Sequence, residues 1–169
     1  MAFNDLAFDA ANPGALWTAA DEGLFARNEN LTWQRIELPD DVQSVAVRAV
    51  ASAAGASDTI FVATDHQLYR SSDRGASWQE RSAGIEPPVL PGARQNGATG
   101  VALRTVAVDP ADADRVFVGS DQGLFVSEDG GASWRNVPEL VQLKNWPSYP
   151  EVRQIVIDPA APAVVYVTV

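Results

Sequence analysis

The chain has 169 residues, is 46% hydrophobic and carries a formal net charge of −10. That apolar content can bury a core and sets the chain apart from disordered sequences. The negative charge opposes phosphate backbones and anionic surfaces, and no nucleic-acid partner is expected. There is no cysteine, which excludes disulfides, thiolate chemistry and Cys-based zinc sites. No run of about 18 apolar residues predicts a membrane span, so no membrane insertion is expected. The start, "MAFNDLAFDA", lacks a basic segment followed by an apolar core and does not read as a signal peptide.

In chain order the sequence repeats itself. The first unit reads "LAFDAANPGALWTAADEGLFARNENLTWQRI" and the second "SVAVRAVASAAGASDTIFVATDHQLYRSSDRGASWQER". The third reads "RTVAVDPADADRVFVGSDQGLFVSEDGGASWRNV", and a fourth begins with "RQIVIDPAAPAVVYVTV". Trp33, Trp78 and Trp134 hold the same place in successive units, 45 and then 56 residues apart. Each unit alternates short β-branched or aromatic runs with Gly, Asp, Asn and Pro turns. In the third unit the pattern predicts strands over 104–108, 115–119, 123–127 and 133–137, with "DPADAD", "SDQ" and "EDGGA" as the turns between them. No stretch has helical periodicity.

Four-stranded antiparallel units at this period predict an all-β fold, a partial β-propeller of about three and a half blades. The whole chain is read as one repeat array. Blade 1 is placed at 3–38, blade 2 at 42–83, blade 3 at 104–138 and the first half of blade 4 at 152–169. Connections at 84–103 and 139–151 separate the later blades. Propellers close with about 4 to 8 blades, so two readings stand side by side. Either the chain is part of a larger ring, or it completes a ring by self-association or with a protein partner.

"SSDRGASW" (71–78) and "SEDGGASW" (127–134) both match S-x-D-x-G-x-[ST]-W. The motif resembles the Asp-box, or BNR repeat, of sialidase-like, sortilin-like and xyloglucanase propellers and of propeller-type photosystem II assembly factors. The resemblance implies the propeller fold and favours an extracytoplasmic location. It implies no single function, since these families do unrelated things. The residues explain the motif as a joint. Asp73 and Asp129 can accept bonds from main-chain N–H groups just ahead. Gly75 and Gly131 supply positive φ, Ser77 and Ser133 can close a second local bond, and Trp78 and Trp134 bury a ring against neighbours. Ser71 and Ser127 open each motif. The first unit has Asn28 and Asn30 at the Asp and Gly places ahead of Trp33, and Asn can make the same turn.

Calling the strands of a blade A to D, the motifs are C–D turns and share a face with the A–B turns. The opposite face carries the B–C turns and the long D–A connections, where binding is expected. Arg94, Gln95 and Asn96 offer polar contacts there. Trp146 and Tyr149 offer rigid aromatic surfaces to a protein or a glycan, or else cover the end of the core. In resembled enzymes the site also lies on this side.

Hydrolysis would need two carboxylates roughly 5 to 10 Å apart. In xyloglucanase-like propellers a "D-x-G-G" Asp after strand B is catalytic, and Asp21 stands in the analogous turn. Asp65 and Asp121 recur in that place, and the second Gly is Leu24, Leu68 or Leu124, so the turn explains them better. No sialidase-like Arg triad can be placed. His66 is the sole histidine, which disfavours a His-based zinc site or a Ser–His–Asp triad. Asp109, Asp112 and Asp114 have oxygen ligands for calcium but lack the rest of a binding loop. The expectation is a non-catalytic interaction module without metal or cofactor, with a fragment of a secreted glycoside hydrolase as the alternative.

Overall fold

Central strands in this chain read as continuous apolar runs because both of their faces are covered. LWTAA (16–20), IFVA (60–63) and GLFVS (123–127) are buried at every position. The computed structural model describes residues 2–9, 12, 14–43, 45–53, 58–87, 100–138 and 149–169, none of them helical. Blade 1 is β1 (Phe3–Phe8), β2 (Leu16–Ala20), β3 (Gly23–Arg27) and β4 (Trp33–Ile36). Blade 2 is β5 (Ala49–Ser52), β6 (Ile60–Ala63), β7 (Leu68–Ser71) and β8 (Gln79–Glu80). Blade 3 is β9 (Leu103–Asp109), β10 (Asp112–Ser120), β11 (Gly123–Ser127) and β12 (Arg135–Asn136). The last sheet holds only β13 (Gln154–Ile157) and β14 (Val165–Thr168). All pairings are antiparallel between sequence neighbours. The first strands β1, β5, β9 and β13 stand one beside the next. The result is a partial β-propeller of three and a half blades.

Its cores lie between blades. Trp17, Ala19 and Leu24 of blade 1 meet Val50, Ile60, Val62 and Tyr69 of blade 2. Ala51, Phe61, Ala63 and Leu68 of blade 2 meet Val106, Val116, Val118 and Phe125 of blade 3. Phe117, Leu124 and Val126 meet Ile155, Ile157, Val165 and Val167 of the half blade. The register repeats this division: one side of each blade presents Ala on strand A, an aromatic on B and Leu on C.

The C–D turns are built from their own side chains. Asp129 accepts from Ser133 N–H at 2.8 Å, from the Ser133 hydroxyl and from the Ser127 hydroxyl. The Ser127 Oγ in turn accepts from the N–H groups of Asp129 and Gly131. Asp73, Ser71, Ser77 and Gly75 repeat every one of these bonds. Gly75 and Gly131 take φ of +86° and +87°, as a left-handed turn position requires. Trp78 and Trp134 then donate their indole N–H to Glu37 O at 2.9 Å and Arg81 O at 2.8 Å. Both acceptors lie just past strand D of the preceding blade.

The first turn differs. Asn28 Oδ1 accepts from Thr32 N–H, but the left-handed residue is Leu31 at φ 63°, not Asn30. Arg27 stands at the register position of Ser71 in blade 2 and Ser127 in blade 3, so the hydroxyl that holds the usual turn is missing. Two strand limits also differ from the sequence pattern. Strand β10 begins at Asp112, which pairs Asp109 across a register shift, so four of the six residues of "DPADAD" are strand. Strand β12 is short because Ser133 is committed to the turn and Trp134 to the preceding blade.

On the turn face each blade junction carries a guanidinium over an aromatic ring. Between blades 1 and 2, Arg74 lies 5.9 Å from the Trp17 ring centroid and pairs with buried Asp9. Between blades 2 and 3, Arg70 lies 5.9 Å from Phe61 and reaches Asp114. Between blade 3 and the half blade, Arg115 lies 5.0 Å from Phe117 and bonds Asp109 and Pro162 O. The three carboxylates of "DPADAD" are thus engaged by Arg115, by the Asp114 N–H, and by Arg70.

The turn bonds hold the Asp129 carboxyl down to about 2, chiefly through the Ser133 hydroxyl and N–H, and Asp73 is lowered in the same way. A depressed folded value contributes stability above the ordinary carboxylate range, and this is lost as pH falls through the folded value. The thermal midpoint, followed by circular dichroism, is expected to fall as pH drops from about 4 to 2. Asp129→Asn should lower the midpoint at pH 7 and flatten that slope; an unaltered slope would remove the turn as its source. Packing between inner strands gives a second test. A Cβ on Gly119 would lie 2.6 Å from Thr105 Cγ2 and 2.8 Å from Val152 O. Gly119→Ala is therefore expected to cost about 1–3 kcal/mol, read as a lowered urea midpoint.

Candidate functional site

The face opposite the C–D turns is organised by the residues that enter each strand A. Val47, Leu103 and Val152 are fully buried. Each donates its N–H to the B–C end of the preceding blade, at Ala20 O (2.9 Å), Asp65 O (2.7 Å) and Ser120 O (2.8 Å). The next residue in each case is an arginine: Arg48, Arg104 and Arg153. Asn4 holds that place in blade 1, five residues before Asp9 as Arg104 stands five before Asp109. Clamping the valine or leucine therefore sets the following side chain at the inner rim of the face.

Carboxylates from the turns interleave with these groups. Arg48 bonds Asp65 through Nε at 2.7 Å and Nη2 at 3.1 Å, and reaches Asp21 at 3.3 Å. Asn4 Nδ2 donates to Asp21 Oδ1 at 3.0 Å and to Val47 O at 2.8 Å. Arg104 Nε donates to Glu151 Oε1 at 2.8 Å, while Arg153 grips Glu151 Oε2 at 2.9 and 3.2 Å. The rim thus reads Asp21, Arg48, Asp65, Arg104, Glu151, Arg153. The Arg48 guanidinium holds the Asp65 carboxyl below its usual range, and Arg104 and Arg153 do the same to Glu151. These pairs are half-exposed, and such pairs contribute about 0.2–1 kcal/mol each. They orient the rim more than they stabilise the fold. Arg153, with 72% of its side chain exposed, is the most open member.

Asp5 behaves differently. Burial raises its carboxyl above the usual range, against bonds from the N–H groups of Val50 and Leu6. It lies on β1 against β5, where it ties two inner strands together. Asp121 accepts from Ala102 N–H at 2.8 Å, and His66 Nδ1 lies 3.0 Å from Val101 O. Both side chains secure the connection entering β9.

Of the sequence-predicted contact residues, Arg94, Gln95, Asn96 and Trp146 lie outside the described residues. Tyr149 packs on the B–C turn of blade 3: a Cβ on Gly123, at φ +104°, would lie 2.9 Å from its Cδ1. Asn136 lies at the same glycine, with both amide atoms buried and without a hydrogen-bond partner among the described residues. The arginine row was not singled out from sequence, where the arginines look scattered. Its signal was present in "RTVAVDP" and "RQIVIDP".

A concavity opens on the turn face between blades 1 and 2. It encloses about 170 Å³ and is lined by Trp17, Ala26, Thr32, Gln34 and Arg74 among others. It exists because Ala26 stands at the register position that Arg70 occupies in blade 2 and Val126 in blade 3.

No family model matches the chain. Over 103 residues it is 32% identical to an oligoxyloglucan-reducing end-specific xyloglucanase of Emericella nidulans. The match covers 60% of this chain and 12% of the enzyme, so the chain spans about an eighth of that relative's length. Among solved structures it is similar to YCF48 bound to D1 peptide, at 16% identity and a TM-score of 0.62, covering 94% of this chain and 46% of that one. It is similar to an ancestral GH74 enzyme at 18% identity and a TM-score of 0.66, covering 93% and 20%. It is also similar to the GH74 xyloglucanase of Xanthomonas campestris at 23% identity and a TM-score of 0.60, covering 92% and 25%. At these identities the likeness shows the fold, that of a β-propeller.

Proposed function

We propose that the chain is a non-catalytic β-propeller interaction module that presents its D–A face to a polypeptide partner. The supporting observation is the alternating rim from Asp21 to Arg153, in which three arginines hold the same place in successive blades. Such a row offers fixed donors and acceptors to an extended segment and steers it electrostatically. A protein of the same fold binds a peptide, the D1 peptide. We read the C–D turns as Asp-boxes whose task is to join blades. In this reading the ring is completed by further blades or by self-association. Arg94, Gln95, Asn96, Trp146 and Tyr149 then extend the contact surface outward, and the two aromatics would also suit a glycan.

The second reading, part of a glycoside hydrolase, is favoured by the xyloglucanase match. Rim chemistry speaks for the first. A general acid needs a raised carboxyl, whereas Asp65 and Glu151 are lowered by their arginines. The raised Asp5 is engaged by two main-chain N–H groups.

Titration of the chain against an array of acidic and mixed-charge peptides tests the proposal. Bound peptides are expected to lose affinity by roughly tenfold or more on Arg104→Gln with Arg153→Gln, and to bind more weakly at high salt. Reducing-end release from xyloglucan oligosaccharides at enzyme-like rates would establish the hydrolase reading instead.

A further inference from the structure

The outer side of blade 1 has the make-up of an inter-blade face without a neighbour. By register, Leu6 corresponds to Val50 and Val106, Phe25 to Tyr69 and Phe125, and Trp33 to Trp78 and Trp134. Val50 and Val106 are 3% and 5% exposed, whereas Leu6 is 53% exposed and the adjacent Phe8 74%. Trp33 is 47% exposed. Its ring meets the Arg27 guanidinium at 5.8 Å, but its indole nitrogen has no acceptor among the described residues.

We propose that this side is a docking surface for a complete four-stranded blade of the same repeat, whose chain leaving strand D offers a main-chain carbonyl to the Trp33 indole N–H. It is a different surface from the arginine rim. The two occupied junctions define the occupant. At both, the neighbour supplies Ala on strand A (Ala7, Ala51), an aromatic on B (Trp17, Phe61) and Leu on C (Leu24, Leu68). At both, it also supplies the acceptor just past strand D, Glu37 O or Arg81 O. A flat apolar ligand would cover Leu6 and Phe8 and leave the indole nitrogen bare. A second copy presenting its β13–β14 end would do the same, because that sheet has no strand D. Only a four-stranded blade brings apolar cover and carbonyl together, with the spacing already used at Trp78 and Trp134.

The test uses the full chain and a fusion that places residues 104–138 ahead of residue 2 through the 37–48 connection. The readout is hydrogen exchange of the Trp33 indole by NMR, assigned with Trp33→Phe. The fusion should slow that exchange by roughly tenfold or more relative to the chain alone, and Leu6→Asp within the fusion should restore the fast rate. Unchanged exchange in the fusion overturns the proposal, whether or not the added blade orders its own strand amides. Protection of Trp33 in the chain alone at high concentration also overturns it, and assigns the surface to a second copy. Arg104→Gln with Arg153→Gln should leave the exchange unaltered, which separates this surface from the peptide-binding reading.

Discussion

An indole N–H reaching back to a main-chain carbonyl is the joint on which this array depends. A β-sheet covered on both faces needs a neighbour on each side, and neighbours must be held at a fixed offset or the register of apolar rows is lost. The bonds from Trp78 to Glu37 O and from Trp134 to Arg81 O fix that offset at the outer edge. Main-chain bonds from Val47, Leu103 and Val152 fix it on the opposite face. The Ser and Asp of the C–D turn serve the same joint. They close the turn with local bonds, so the indole leaves it in one direction only. A single unanchored blade would have to orient that ring at the full cost of its rotamer freedom.

The guanidiniums on the turn face show how the joint tolerates sequence change. Three junctions use three different positions, and each places a cation over an aromatic ring beside a carboxylate. Where Arg70 comes from strand C of blade 2, Gly130 lies opposite it; a Cβ there would lie 2.9 Å from Arg70 Nη1. Where Ala26 leaves that space open, the residue corresponding to Gly130 is Arg74, held at φ 59°, and it fills the gap from the other side. The geometry of the cation is kept while its origin moves. The cleft between blades 1 and 2 is what remains, since Arg74 replaces only part of the volume.

These two devices also explain what could be read from the sequence. The C–D turn was legible because its bonds span four residues or fewer, and "SEDGGASW" carries all of its donors and acceptors. The strand count followed, since the turn sets the phase of everything before it. The guanidinium–aromatic contacts were not legible, because their cations come from strand B, strand C or the turn and share no motif. The arginine row was half legible. "RTVAVDP" and "RQIVIDP" line up by eye, but Arg48 precedes "AVASAAG", where Ala53 replaces the Asp that marks the place. Only the pairing of Ala49 with Ala63 and of Ser52 with Ile60 puts Arg48 in register. Leu31 was misplaced by sequence for a simpler reason. Asn30 was expected to take the glycine's place in an unchanged turn, but Arg27 holds the serine's position and the turn closes at Leu31 instead.

Function on such a scaffold is decided where the joints are not. The bonds that recur from blade to blade in this chain sit at the turn face, the blade interiors or the clamp before strand A, so the rim residue after the clamp is left free to vary in its side chain. In this chain it is Asn once and Arg three times, each met by a carboxylate from a B–C turn or a D–A connection. Pairing keeps the guanidiniums ordered without neutralising their unused donors. Arg153, at the end of the row, is the most exposed of the three. Among the described residues its carboxylate partner is Glu151, which Arg104 already shares. The same sharing argues against Glu151 as a general acid, because a carboxyl pressed between two guanidiniums is held ionised and has no proton to give. The clamps and turns behind the rim hold its charges at fixed positions, which is the physical property that the proposed binding role uses.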